Sequence, residues 1–342
     1  MTLQDAINGF LNHCQFEKKL SSQTMGAYAT DLSQFSNFAL RKKIFSNIQE
    51  IEKTVLKEYI QELSSFKTKT IKRKIATLKA MFNYLEYEND DFYSPFHRIK
   101  IRLKDSFLLP TVMSMSEVRQ ILSVLYKNLN TCTQNNIYKY KTLIRDIAVI
   151  ELLFASGMRV SELCQLTANN INLEEGVVKI LGKGSKERII QICQSETIKA
   201  LCAYKSLYSE QIKIETPFFI NRLGKGFSTQ SVRLMIKNYI KQTAINKHIT
   251  PHTFRHTFAT LLLEEDVDIK YIQSFLGHSS IAVTQIYTHV NTEKQKQILS
   301  SKHPRRKMNF PTIFFCNKSD IEYDNITAWK KVRKELKIEY DK

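Results

Sequence analysis

A chain of 342 residues with 43% hydrophobic and 25% charged side chains is long enough for two ordinary domains with a sizeable core, which argues against a wholly disordered protein. Lysine and arginine outnumber aspartate and glutamate by 51 to 33, a formal charge of +18, and such an excess points to a polyanionic partner, nucleic acid first. Nine glycines and six prolines are too few for turn-rich β architecture, and no segment approaches the ~20 apolar residues that would span a bilayer.

The start "MTLQDAINGF" carries no basic, apolar leader, so the expected location is cytoplasmic. From Ser22, "SQTMGAYATDLSQFSNFAL" sets Tyr28, Leu32, Phe35 and Phe38 at steps of three and four. With Ser22 and Thr24 able to cap it, this predicts an amphipathic helix. Next, "KTKTIKRKIATLKAMFNYL" places Ile71, Ile75, Leu78 and Phe82 on one face, while Lys67, Lys69, Lys72, Arg73, Lys74 and Lys79 cover much of the rest. A charged helix face is ordinarily just solvated. Here no acid interrupts it from Lys67 to Leu85, so the sharper reading is a helix lying along phosphates, with Lys67, Lys69, Lys72, Arg73 and Lys79 as its contacts.

The helical period breaks over "EYENDD" and "SPFHRIKIRLKDSFLLP", with Pro95 and Pro110 as breakers. Residues 1–95 are therefore expected to form a helical domain and residues 96–110 a basic linker. Ser114 and Glu117 stand at capping-box spacing and open a second domain, residues 111–306. The polar stretch "YKNLNTCTQNNIYKYKT" reads as a loop. "TLIRDIAVIELLFASG" reads as a buried helix, with Gly157 suited to the left-handed residue after its end. In "VVKILGKGSKERIIQI" two β-branched runs flank Gly182 to Ser185, a hairpin signal. "STQSVRLMIKNYIKQ", "PHTFRHTFATLLLEE", "DIKYIQSFLG" and "SSIAVTQIYTHV" read as short helices. The fold class is thus mainly α with a small β-sheet. The cysteines Cys14, Cys132, Cys164, Cys193, Cys202 and Cys316 form no C-x-x-C pair, which argues against structural zinc and a disulfide framework.

Five spots carry reactive groups. Arg159 lies just past the Gly157 stop with Glu162 one turn on, and Lys183 sits at the hairpin tip. His252 and Arg255 share a helix face, His278 follows Gly277, and Tyr287 closes the last helix. Singly, each has an ordinary role: a salt bridge for Arg159, solvation for Lys183, packing for Tyr287. His256, four residues after His252, suggests a metal pair, but the inner Glu of H-E-x-x-H and a third ligand are missing. Together the groups fit one task without metal or other cofactor. Two guanidiniums can clamp the nonbridging oxygens of a phosphodiester, histidines can share its protons, a lysine can act as general acid and a tyrosine as nucleophile.

In this order and spacing, "FASGMRVSELCQL", "ILGKGSKERIIQI", "TPHTFRHTFATLLLE" and "IQSFLGHSSIAVTQIYTHV" resemble the tyrosine recombinases of the phage-integrase family, and among them the Xer-like members. The resemblance runs from the first helix to about "KQILSSKHPRR". It implies a helical, SAM-like core-binding domain and a mixed α/β catalytic domain that clamp DNA. It also implies roles: Arg159 and Arg255 as clamp arginines, Lys183 as general acid to the 5′-oxygen, His252 and His278 as phosphate partners, and Tyr287 as the nucleophile forming a 3′-phosphotyrosyl link. Glu162 matches a supporting acid. Strand exchange would pass through a Holliday junction, for chromosome dimer resolution or for integration and excision of a mobile element. The partners implied are double-stranded DNA carrying a specific recombination site and a synaptic homo-tetramer, or a hetero-tetramer with a second recombinase. A cell-division DNA translocase or a directionality factor would be the accessory protein. Whether Tyr287 attacks within its own subunit or in a neighbour's site is left open.

Residues 307–342 match nothing in that pattern, although Trp329, Val332 and Leu336 fit a short amphipathic helix. Such a helix would dock on a neighbour, on its own chain, or on neither. Three competing functions remain: a DNA-binding accessory protein that no longer cuts, a metal-dependent hydrolase built on His252 and His256, and a type IB topoisomerase, which shares this chemistry.

Overall fold

The computed structural model describes residues 1–43, 47–101, 103, 110–132, 136–181, 187–277 and 292–308. The chain divides into two compact units, Met1–Leu108 and Leu109–Lys342.

The first unit is helical. Its first helix, α1 (Leu3–Asn12), opens with a capping box between Thr2 and Asp5 and runs into a single π-helical turn, His13–Glu17. It is followed by α2 (Ser22–Arg41), α3 (Lys53–Glu62) and α4 (Thr68–Glu88). The cap of α2 is Ser21 rather than Ser22 or Thr24, because the Ser21 side chain accepts the Thr24 N–H. The apolar stripes meet in one core in which Phe10, Phe35, Phe38 and Phe82 are buried, and Tyr59 packs edge-on to Phe35 at 5.0 Å between ring centres.

Lys74 departs from its expected place on the basic face. It is 2% exposed, and its Nζ bonds to Asp31 of α2 at 2.9 Å. The reason is helical period: residue 74 lies three after Ile71 and four before Leu78, both core positions, so it faces α2. Arg73 and Thr77 bond to the same carboxylate. Lys67, Lys69, Arg73 and Lys79 are exposed. The segment expected as a linker begins inside this core, since Phe92 and Phe96 are buried beside Phe82 and Ile99, Ile101 and Leu103 pack at its edge.

The second unit is built around α6 (Ile137–Ser156), in which every residue from Leu143 to Ser156 is buried. A helix apolar on all sides belongs inside a domain, and its charged residues are satisfied there. Asp146 accepts from Arg145 at 2.8 Å and from the Tyr239 hydroxyl at 2.9 Å. Before α6 comes α5 (Met115–Asn130), whose Ser114–Glu117 capping box is formed as its spacing predicts. The polar stretch read as a loop is mostly the ends of these two helices, because Tyr126 and Leu129 still fall on the buried face of α5.

After Gly157, in the left-handed region at φ 59°, comes the short α7 (Val160–Gln165). Three strands follow, β1 (Ile171–Asn172), β2 (Val177–Leu181) and β3 (Glu187–Gln191), antiparallel in the order β1-β2-β3. The hairpin is where its β-branched runs predict it, with Ile180 opposite Arg188. Its tip, residues 182–186, lies outside the described residues, and the two-residue β1 has no sequence signal. Helices α8 (Ser195–Leu207), α9 (Thr229–Ile240), α10 (Pro251–Glu264), α11 (Ile269–Leu276) and α12 (Thr292–Lys302) and a 3₁₀ turn, Pro304–Lys307, follow among the described residues. "SSIAVTQIYTHV" and the stretch with Cys316, Trp329, Val332 and Leu336 lie outside the described residues. Among the described residues, no helix is long and apolar enough to cross a membrane.

Candidate active site

The site is assembled where α6 ends, α7 and α10 begin and α11 stops. Gly157 makes this approach possible: a Cβ there would lie 2.5 Å from Phe258 and 3.1 Å from Leu276, at a positive φ that L side chains rarely adopt. The chain then turns into α7 with Arg159 at its cap position. Glu162 accepts the Arg159 backbone N–H at 2.8 Å and its Nη1 at 2.8 Å. On α10, capped by Thr250 with Pro251 in its first turn, Arg255 is buried and donates Nη1 to the Gly157 carbonyl at 3.0 Å.

The last turn of α11 ties these side chains together. The final carbonyls of a helix have no partner within it and carry its negative dipole end, so guanidiniums are favoured there. Arg188 donates Nε to the Phe275 carbonyl at 3.0 Å, Arg255 donates Nη2 to that of Leu276 at 2.6 Å, and Arg159 Nη2 stands 3.5 Å from that of Gly277. Three successive carbonyls thus hold three guanidiniums from three other elements. Among the described residues Glu162 is the one carboxylate they bond, and Arg188 grips it at 3.0 and 2.7 Å. Three positive charges around one negative leave a surplus of two.

That surplus shifts the ionisable groups beside it. Arg255 is drawn down to about 10, first by burial and then by Arg159, with Glu162 opposing and Arg188 adding to the repulsion; it stays protonated at neutral pH. Burial alone would raise the Glu162 carboxyl, but the Arg188 and Arg159 bonds overcome it and hold the group below its ordinary range. His252, one turn before Arg255, is lowered by burial and then by His256, Arg255, Arg233 and Arg159, so it is neutral at pH 7. A neutral imidazole can both donate and accept a hydrogen bond.

Of the residues singled out by the sequence, the structure brings together Arg159, Glu162, His252 and Arg255. Lys183, His278 and Tyr287 lie outside the described residues, and their nearest described neighbours in sequence are Leu181, Glu187, Gly277 and Thr292. Sequence reasoning passed over Arg188 and Arg233. Nothing local marks Arg188, which sits in a strand whose other cation-bearing stretch is the hairpin tip, and its partners are 26 and 87 residues away.

The phage integrase family matches residues 112–294, and its N-terminal SAM-like domain matches residues 7–89. A tyrosine recombinase of Agathobacter rectalis is 45% identical over 309 residues, covering 90% of this chain and 99% of the relative. Tyrosine recombinase XerC of Thermodesulfovibrio yellowstonii is 35% identical, covering 88% of this chain and 97% of the relative. Among solved structures, XerH recombinase bound to a palindromic difH substrate in a post-cleavage complex superposes with a TM-score of 0.65 at 22% identity, over 86% of this chain and 84% of that one. At that identity the last likeness speaks for the fold.

Proposed function

The chain belongs to the phage integrase family of tyrosine recombinases, and from that premise we propose that it cuts and rejoins DNA strands at a specific site through Tyr287. The observation that carries this reading is the surplus of guanidinium charge at the end of α11, whose last carbonyl, that of Gly277, is one residue before His278 and ten before Tyr287 in the chain. Arg159 and Arg255 hold the nonbridging oxygens of the scissile phosphate, and their charge counts most as those oxygens gain negative charge. The Tyr287 hydroxyl gives up its proton to a neutral histidine of the site as its oxygen bonds to phosphorus, the bond to the 5′-oxygen breaks, and Lys183 supplies the proton that this oxygen takes up. His252, neutral, and His278 hydrogen-bond the same phosphate. The phosphotyrosyl bond conserves the energy of the broken diester, so attack by a 5′-hydroxyl reverses the step without ATP.

Two duplexes held by a tetramer would exchange strands in pairs through a Holliday junction. Lys67, Lys69, Lys72, Arg73 and Lys79 of the first unit contact the backbone, which predicts an affinity that falls steeply with salt. The chain spans nearly the full length of relatives named XerC and XerD, and the same chemistry serves either chromosome dimer resolution or integration and excision of a mobile element. Footprinting on DNA flanking the gene separates the two by locating the site. The chemical reading is tested by trapping on a nicked suicide duplex. The native protein is expected to form a covalent complex and Tyr287→Phe none; a complex that survives the substitution overturns the assignment.

A further inference from the structure

Arg188 is the least expected member of the arginine group. On an edge strand beside a basic hairpin tip, a cation would ordinarily point to solvent or to DNA. Its side chain is instead 12% exposed, and its guanidinium bonds go to protein groups: two to Glu162, at 3.0 and 2.7 Å, and one to the Phe275 carbonyl at 3.0 Å. The fit at the helix end is close, since a Cβ on Gly277 would come within 3.0 Å of its Nη1 and 3.1 Å of its Cδ. One planar fork therefore pins β3 to the start of α7 and to the end of α11. A lysine has a single charged nitrogen and no such fork.

The arrangement also sets a charge. Without Arg188, Glu162 would answer to Arg159 alone, and the carboxylate would neutralise the guanidinium that faces the phosphate. With Arg188 in place the carboxylate is already matched, and Arg159 keeps its charge for a ligand. We propose that Arg188 is a positioning residue for strand cleavage, acting through Glu162 on Arg159 and not by touching the DNA. The proposal rests on the recombinase reading above.

The test uses full-length protein and single-turnover cleavage of a nicked suicide duplex with either a phosphodiester or an uncharged methylphosphonate at the scissile position. Arg188→Gln is expected to slow phosphodiester cleavage roughly 10²-fold, the scale of a misplaced catalytic group, with duplex affinity unchanged. On the methylphosphonate, where clamp charge matters less, the loss should shrink to under about tenfold, as it should for Arg159→Ala. Because the two residues act in series, Arg159→Ala with Arg188→Gln should be no slower than Arg159→Ala by more than about twofold. Arg188→Lys is expected to show the same substrate ratio in milder form, and it carries the comparison if the glutamine variant melts early. Equal losses on both substrates, or losses that multiply in the double variant, overturn the proposal and leave the recombinase reading standing. A covalent complex formed by Tyr287→Phe sinks the recombinase reading and the proposal with it.

Discussion

Two carboxylates of the second unit, Glu151 and Glu162, are each gripped by an arginine fork, yet they sit in opposite electrostatic settings. Glu151, on α6, is fully buried and takes Arg305 at 3.1 and 2.9 Å, the Tyr126 hydroxyl at 2.7 Å and the Thr197 hydroxyl at 3.1 Å. One cation meets one anion, and the other acceptor positions go to hydroxyls. Glu162 meets two guanidiniums directly with a third beside them, and the Arg159 side chain is 35% exposed. The arginines register the difference with opposite signs. Burial would lower Arg305, but Glu151 overrides it and the group is raised, whereas Arg255 is lowered by burial and by Arg159. A balanced buried pair fastens the Pro304–Lys307 turn to the core; an unbalanced one leaves positive charge unmatched by the carboxylate beside it.

Removing one member of the balanced pair should have the largest effect. Arg305→Ala leaves a buried carboxylate uncompensated and is expected to cost about 3–5 kcal/mol of stability, read from denaturant unfolding, while the cleavage rate of the folded fraction stays unchanged. A loss below about 1 kcal/mol would break the contrast. Arg159→Ala should do the reverse. Cleavage is expected to fall by about 10²–10³, or about 2.7–4 kcal/mol in the barrier, with stability altered by about 1 kcal/mol or less.

Acid provides the third test. His303 accepts the Arg305 backbone N–H at 3.0 Å and is depressed to about 3, mainly by burial. A histidine lowered on folding contributes stability that is complete above its unfolded value near 6.5 and is lost as pH falls from there toward 3. The slope is about 1.4 kcal/mol per pH unit, so about 2 kcal/mol should be lost between pH 6.5 and 5. His303→Asn should flatten that part of the curve; an unchanged slope would mean another group titrates. The smallest effect is expected at Ser114→Ala, which removes the α5 cap and should cost about 1 kcal/mol with no change in cleavage. Hydrogen exchange in the first turn of α5 locates that loss.

The features legible in the sequence are those whose cause is local. The Ser114–Glu117 box, the left-handed Gly157 and the Arg159–Glu162 pair each span a few residues, so spacing announces them. Local composition also misled. Lys74 was hidden in a run of cations whose period placed it against Asp31, and polar residues between positions 126 and 142 concealed the end of α5, where Tyr126 and Leu129 are buried, and the exposed start of α6. Arg188 had no local signature at all, because its role is defined by groups elsewhere in the chain.

The amino-acid order alone thus determined a mainly helical chain, a β-hairpin, a strongly basic character and an Arg, Lys, His, Arg, His, Tyr series in family order, since periodicity, capping and turn chemistry act within a few residues. Only the tertiary structure decided which cations share a carboxylate. Partner choice in a buried ion cluster depends on segments as far apart as Glu162 and Phe275 being brought to one guanidinium, and on which of those charges is left without an equal.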